Sequence, residues 1–336
     1  MAGEQRNTIR EVAARAGVSQ ATAARALGGY GYVSAATGAR VREAAAELGY
    51  RPNDVARALA SGSSKTLGLI VGDVENAFFA SVARGLADVA DNDGYTLVLA
   101  NSDEDLDRER RAVEAFSTRL VDGIVASPVT GGQVDHLLRL SCPLVLVDRT
   151  ASRVKADTVV VDNARGAAMA VEHLAVLGHR SIGIVSEQTD ISSVTLRVRG
   201  YRRALRDAGL PTGPGLESYG AATPAGGRDA AMALLTRAER PTAVVTATNF
   251  MTAGTVRAMR ELGLRWGHDV ALVAFDDVDW AMLVEPSITV VAQPVFEIGR
   301  TAGQRMIARL SGDTSAPKRI TLPTQLIVRG SCGARS

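Results

Sequence analysis

From Lys65 onward, short apolar runs alternate with longer amphipathic ones, and no other feature of this sequence limits the possible folds so strongly. Thr66 to Val71, Tyr95 to Ala100, Asp122 to Ala126 and Pro143 to Val147 have the length and composition of buried strands. Between them Phe78 to Asn92, Arg108 to Leu120 and Gln133 to Leu140 are predicted as helices. Strands that are apolar throughout, each followed by a helix, predict a parallel sheet covered on both faces. The rhythm then repeats: helices over Asn163 to Leu177, Thr195 to Ala208, Met251 to Leu262 and Glu297 to Leu310 alternate with strands over Ser181 to Val185, Ala243 to Thr246 and Val270 to Phe275, and a last strand lies near Thr324 to Val328. Two such halves place a cleft at the carboxyl ends of their strands.

The first fifty residues follow different rules. Ile9, Val12, Ala13 and Ala16 lie on one face of a helix, and Thr8 with Glu11 has capping-box spacing. Gly17 and Val18 break that helix, and Ser19 can cap a second one from Gln20 to about Leu27. Its inward face is Ala23, Ala26 and Leu27, leaving Gln20, Thr22 and Arg25 outward. Two helices around a tight turn form either a DNA-reading helix-turn-helix or an ordinary helical hairpin in a core. After the Gly/Tyr-rich turn Gly28 to Val33, Ser34 caps a third helix to about Leu48, with Val41, Ala45 and Leu48 as its stripe and Gly49 as its stop. The next helix, Asn53 to Ala60 behind Pro52, is barely two turns long and should form only against a partner.

Charge is nearly balanced over the 336 residues, at +2, so the chain as a whole gives no electrostatic argument for nucleic acid. Residues 1–62 alone carry +3, leaving −1 for the rest; that excess suits phosphate contact, although a solvated surface would look much the same. The N-terminus lacks an apolar signal core, and every apolar stretch is broken before membrane-spanning length, which predicts a cytoplasmic protein without a membrane partner. Cys142 and Cys332 are far apart, without a Cys or His at metal-ligand spacing.

Polar and aromatic residues gather at the strand ends: Asp73, Asn76, Phe78 and Phe79 after the first, Asp148 and Arg149 after the fourth, Asn249 and Asp276 in the second half. Carboxylates and amides beside rings suit a polyol, whose hydroxyls need paired donors and acceptors and whose C–H face stacks. The alternative leaves the phenylalanines in the core and the aspartates as helix caps. Motifs for a nucleophile elbow, a phosphate loop or a dinucleotide site are absent, and no cofactor or catalytic residue is expected. Gly131-Gly132 and Gly226-Gly227 are expected as turns, and His136, His173, His179 and His268 as structural.

Taken together, the chain resembles the lactose-repressor (LacI/GalR) family of bacterial transcription regulators. The resemblance rests on Thr8 to Leu27, Leu48-Gly49-Tyr50-Arg51-Pro52-Asn53, Val55-Ala56-Arg57-Ala58-Leu59, Asn76-Ala77-Phe78-Phe79, Val121-Asp122-Gly123-Ile124, Leu146-Val147-Asp148-Arg149, Asp162-Asn163, Leu177-Gly178-His179-Arg180 and Phe275-Asp276-Asp277. It implies an α-helical helix-turn-helix DNA-binding domain (1–50), a hinge helix and linker (51–64), and an α/β two-lobed periplasmic-binding-protein-like domain (65–336) for effector binding and dimerisation. The implied DNA-facing residues are Thr8, Ser19, Gln20, Ala21, Thr22, Arg25 and Tyr32, with Asn53, Ala56 and Leu59 from the hinge, where paired Leu59 side chains would wedge a minor-groove step. The implied effector site comprises Asp73, Asn76, Phe78, Phe79, Asp148, Arg149, Arg197, Asn249, Phe275, Asp276 and Gln293. Ala21, Ala24, Ala77 and Phe250 depart from the family pattern, and Trp280 is either a stacking wall or core. The resemblance thus implies a homodimeric repressor of a pseudo-palindromic operator, released by a sugar or related polyol, with co-repression as the alternative sign. A sugar-transport receptor would need an export signal, and a sugar-converting enzyme a base or nucleophile that the cleft does not offer. The tail from Gly330 shows no heptad that would zip dimers into tetramers.

Overall fold

A computed structural model describes residues 7–28, 31–50, 63–118, 121–129, 134–151, 153–188 and 190–333. The first body is three helices, α1 (Ile9–Ala16), α2 (Gln20–Gly28) and α3 (Ala35–Glu47). Val12, Ala23 and Val41, all fully buried, form its centre, with Ala13, Ala16, Ala44 and Ala45 around them. Alanine-rich packing lets the helices approach closely but buries little area, and an ion pair between Arg15 and Glu47 at 2.7 Å ties α1 to α3 across the surface. The expected hinge, with Asn53, Ala56 and Leu59, lies outside the described residues.

Beyond residue 63 stand two sheets, parallel but for one edge strand. The first lobe begins with β1 (Thr66–Val71), α4 (Ala77–Asn92), β2 (Thr96–Asn101), α5 (Leu106–Thr118), β3 (Gly123–Ala126), the short α6 (Asp135–Leu138), β4 (Leu144–Val147) and β5 (Asp157–Val161). The second contains α7 (Asn163–Val176), β6 (Ile182–Glu187), α8 (Ser192–Asp207), β7 (Glu217–Gly220), α9 (Pro224–Leu235), β8 (Ala243–Thr246), α10 (Asn249–Glu261), β9 (Ala271–Phe275), α11 (Trp280–Leu283) and β10 (Thr289–Ala292). The chain then returns to the first lobe with α12 (Val295–Leu310) and β11 (Arg319–Leu322), and goes back to the second with β12 (Gln325–Ile327). Strand order is β11-β5-β4-β3-β1-β2 in one sheet and β12-β10-β9-β8-β6-β7 in the other. Each sheet separates two apolar clusters, as strands buried on both faces require.

Sequence periodicity located most of these elements and missed four strands. β7 reads Glu-Ser-Tyr-Gly and β11 Arg-Ile-Thr-Leu, too polar to stand out, while β5 and β10 are no shorter than the strands that were located and were simply passed over. The closing strand pairs antiparallel with β10, a departure from the expected parallel rhythm, because it enters after a short return rather than a helical crossover. Gly226-Gly227, expected as a turn, lies inside α9: Thr223 accepts the Gly226 N–H at 3.0 Å, and a Cβ on Gly227 would meet the Phe250 carbonyl at 2.9 Å. Gly227 lets α9 press onto α10 and Gly226 lets it lie against the Ala221 backbone, so the missing side chains are a packing requirement instead of a turn signal. The same device recurs between α4 and α12, where a Cβ on Gly299 would lie 2.0 Å from the Val82 carbonyl and one on Gly85 2.1 Å from that of Phe296.

Candidate functional site

At the N-terminal body, local capping sets the shape of the exposed face. The Glu11 carboxylate accepts the Thr8 N–H at 2.6 Å and its hydroxyl at 3.0 Å, the arrangement expected from their spacing. Gly17 at φ +64° stops α1, a left-handed turn that a side chain would oppose. Ser19 Oγ then accepts the Thr22 N–H at 3.1 Å and starts α2. With Ala23 turned inward, Gln20, Ala21 and Arg25 are exposed along the outer face of α2, and Thr22 is half-buried. Tyr32 is 91% exposed, an aromatic ring with almost no cover, and Thr8 and Ser19 are exposed as well. Arg25 folds back to donate from Nε to the Ala21 carbonyl at 3.2 Å, which parks its guanidinium beside the helix.

Between the lobes lies a cavity of about 440 Å³ at the carboxyl ends of both sheets. Asp73, Asn76, Phe78, Phe79, Asp148, Arg149, Arg197, Asn249, Asp276 and Gln293 line it together. Phe275 does not: its ring is in the core directly beneath Arg197, whose Cζ sits 3.7 Å from the ring centroid. Glu104, Glu187, Ser193, Thr223 and Thr248 also line the cavity and were not anticipated from sequence; Phe250, noted only as a departure from the family pattern, lines it as well. Glu187 ends β6 and Thr248 lies just beyond β8, so the strand-end rule that selected Asp276 could have found both.

Two aspartates face each other from equivalent positions. Asp148 after β4 has φ +63° and Asp276 after β9 has φ +77°, each donating its N–H to the neighbouring strand, at Val159 and Val291, at 3.0 Å. Holding non-glycine residues in the left-handed region costs energy, and both sit where the carboxylate is aimed into the cleft instead of along the strand. The Asp276 carboxylate accepts the Asn249 N–H at 3.2 Å and Gln293 Nε2 at 2.5 Å. Arg197 donates from Nε to Asn163 at 2.7 Å and from Nη1 to the Ala247 carbonyl at 2.8 Å. Asn249 Nδ2 donates to Asn76 Oδ1 at 2.8 Å, and this bond joins one lobe to the other. Asn249 Oδ1 and Gln293 Oε1 are buried without a hydrogen-bond partner among the described residues. Unmet buried acceptors are costly and call for donors such as hydroxyls.

Burial raises the Asp148 carboxyl above its ordinary value, against the pull of Arg149 and Arg197, and burial does the same to Glu187 against Thr248. Burial also opposes the charge on Arg149, but its bonds and proximity to Glu104 more than offset this and raise its pKa. Because the folded chain holds the Asp148 proton more tightly than the unfolded chain does, the associated stability is present at low pH and is lost as pH rises through the folded value. Asp148→Asn is therefore expected to raise the melting temperature of the ligand-free protein at neutral pH and to flatten its fall between mildly acidic and neutral buffer. Melts of both proteins across that range check this, and a variant that melts lower at neutral pH would contradict it.

The histidines have structural partners. His179 bonds Thr242 at 3.0 Å and the Gly333 carbonyl at 2.9 Å, His136 bonds Glu109 at 2.5 Å, and His173 lies 3.2 Å from the Cys332 sulfur. His268 is exposed beside Arg265 and Asp269. Trp280 packs half-buried against the second lobe's core, at the edge of a neighbouring groove. Among the described residues no group of three or more His, Cys, Asp or Glu side chains is arranged to hold a metal, and no helix is long and apolar enough to cross a membrane.

The model of bacterial regulatory proteins of the lacI family matches residues 8–53, and that of the periplasmic binding protein-like domain matches residues 171–332. The HTH-type transcriptional regulator PtxS of Pseudomonas aeruginosa is 37% identical over 335 residues, covering 98% of this chain and 97% of that protein. The solved complex of the transcriptional regulator CelR with cellobiose is 31% identical, with a TM-score of 0.74 over 97% of this chain and 100% of the other. A lac repressor dimer bound to operator and the anti-inducer ONPF is 26% identical, with a TM-score of 0.87 over 98% of this chain and 100% of that one.

Proposed function

The chain belongs to the LacI family of bacterial transcriptional regulators and is a DNA-binding regulator, and on that footing we propose that it is a homodimeric repressor whose operator affinity is set by a sugar or related polyol in the interlobe cleft. The observation that carries the effector reading is the pair of unmet acceptors, Asn249 Oδ1 and Gln293 Oε1, set between two inward-facing aspartates. Hydroxyl donors satisfy such groups, and the T-shaped pair Phe78 and Phe79, 5.1 Å between centroids, supplies an apolar wall for a sugar's C–H face. Binding without turnover fits a cavity whose arginines are held by Glu104, Asp148, Asn163 and backbone carbonyls. The related regulator CelR was solved in complex with cellobiose, a sugar.

Coupling follows from position. A ligand that touches both lobes favours one of their arrangements over the other, and only such differential binding can shift an equilibrium. The proposed division has residues 1–50 reading DNA, 51–64 forming the hinge, and 65–336 binding effector and pairing subunits. Gln20, Ala21 and Arg25 would face base edges, Thr8, Ser19, Thr22 and Tyr32 the backbone or nearby bases, and Asn53, Ala56 and Leu59 the minor groove. A second copy has surfaces to cover: Val98 and Leu99 on the edge strand β2 are 36% and 39% exposed, and Leu283 on α11 is 82% exposed. Exposed apolar edges of this kind favour pairing. Action on operator DNA would place the protein in the bacterial cytoplasm.

The test is operator selection from random DNA, followed by mobility shifts with and without sugars found by thermal shift. Arg25→Ala is expected to cost about 1–3 kcal/mol on the selected operator and to relax preference at one base pair. Unchanged base preference would remove Arg25 from direct reading, and no selected sequence at all would count against the operator itself.

A further inference from the structure

Resting on the reading of the cleft as a polyol site, we propose that Glu104 is a specificity-determining residue that makes the cleft reject anions, so that the effector is an uncharged polyol and sugar acids and sugar phosphates are excluded. Arg149 is the guanidinium an anionic ligand would seek, and Glu104 already holds it with both oxygens, Nη1 to Oε2 and Nη2 to Oε1, each at 2.6 Å. A planar guanidinium matched to a carboxylate in this bidentate way is the strongest pairing either group can make with a side chain. Nη1 also donates to the Pro128 carbonyl at 3.2 Å and Nε to Asp148 at 3.2 Å, so four of the five N–H groups are engaged.

The backbone is shaped for this contact. Asp103 and Glu104 both occupy the left-handed region, at φ +49° and +56°, a run that non-glycine residues adopt only when their surroundings hold it. The turn is fastened by the Ser102 and Glu104 N–H groups, which donate to the Val71 and Gly72 carbonyls at 2.9 and 3.1 Å. Gly72 leaves the space that Glu104 fills, since a Cβ there would lie 2.0 Å from Oε1.

The rest of the lining agrees. Seven lining side chains are carboxylates and two are guanidiniums, so even with Asp148 and Glu187 both neutral the cavity keeps an acidic excess. Arg197 has Nε and Nη1 occupied and its face on Phe275, and its charge is shared by Asp148 and Glu187 nearby. An anion entering this field meets repulsion without a free cation at Arg149 to offset it.

The experiment titrates the full-length protein, by calorimetry and thermal shift, with matched sets of five- and six-carbon aldoses, their aldonates and their phosphates. On the wild type, every binder is expected to be uncharged, with its acid and phosphate counterparts at least tenfold weaker. Glu104→Gln keeps the shape of the side chain and removes its charge, and is expected to narrow the aldose-to-aldonate ratio at least tenfold, whatever it does to the aldose affinity itself. An aldonate or phosphate that binds the wild type as tightly as its parent aldose overturns the proposal, as does a folded Glu104→Gln with an unchanged ratio. The wild-type series decides the matter even if the variant fails to fold. Absence of any binder in the panel would instead sink the polyol reading itself, and this proposal with it.

Discussion

Arg197→Ala is expected to lower the free energy of unfolding by about 3–5 kcal/mol and to abolish the response of operator binding to effector. The side chain is 4% exposed and holds three surfaces together: Asn163 at the start of α7, the Ala247 carbonyl after β8, and the ring of Phe275 at the end of β9. Truncation leaves Asn163 Oδ1 and the Ala247 carbonyl without this donor, opens space above an aromatic ring, and removes a positive charge near two buried carboxyls. Each unmet buried acceptor alone costs about 1–3 kcal/mol. Lysine should rescue little, because a single ammonium cannot present a flat face to Phe275 while bonding on two sides. Denaturant unfolding measures the first effect and mobility shifts with effector the second. A loss under 1 kcal/mol would mean that the site rearranges around the gap.

Gly299→Val should be at least as damaging, by about 3 kcal/mol or more, because its Cβ would be driven 2.0 Å from the Val82 carbonyl, an atom on a rigid helix. Relief requires α4 and α12 to move apart, and the buried Leu86, Ile298, Ala302 and Met306 would lose close packing with that motion. Gly215→Ala is the control: the nearest atom to its added Cβ is 4.0 Å away, and its effect should stay within about 0.5 kcal/mol. Thermal melting separates the two, and equal melting temperatures would show the helices to be far more yielding than their spacing implies.

What could be read from the sequence was whatever depended on neighbours along the chain. The Thr8–Glu11 box, the Ser19 and Ser34 caps and the Gly17 stop are local chemistry, and they lie where spacing put them. Asp73, Asp148, Asn249 and Asp276 share one cavity because strand ends of parallel sheets converge, a rule that needs only the strand positions. Phe275, implied only by the family resemblance, lies behind Arg197, since which face a residue at a strand's end presents depends on the pleat and not on its position. Glu104 was hidden for a different reason: its contact with Arg149 depends on a left-handed turn and on a missing Cβ at Gly72, neither of which has a periodicity. The lobes' shared ownership of the stretch from Val295 to Ile327 was likewise invisible, because a pattern of strands and helices does not disclose strand order.

That interleaving also governs how the protein is made. The first lobe's sheet has β5 by Val161 but receives its outer neighbour β11 only at Arg319–Leu322, and α4 waits for α12 to cover it. At roughly 5–20 residues per second, a nascent chain carries that lobe with an open sheet edge and an uncovered apolar helix for on the order of ten seconds or more while the second lobe is being synthesised. Neither lobe can finish before the other has nearly all emerged from the ribosome. A nonsense codon between β6 and residue 295 should thus yield no surviving half, only a chain with two unfinished cores for chaperones and proteases to contest.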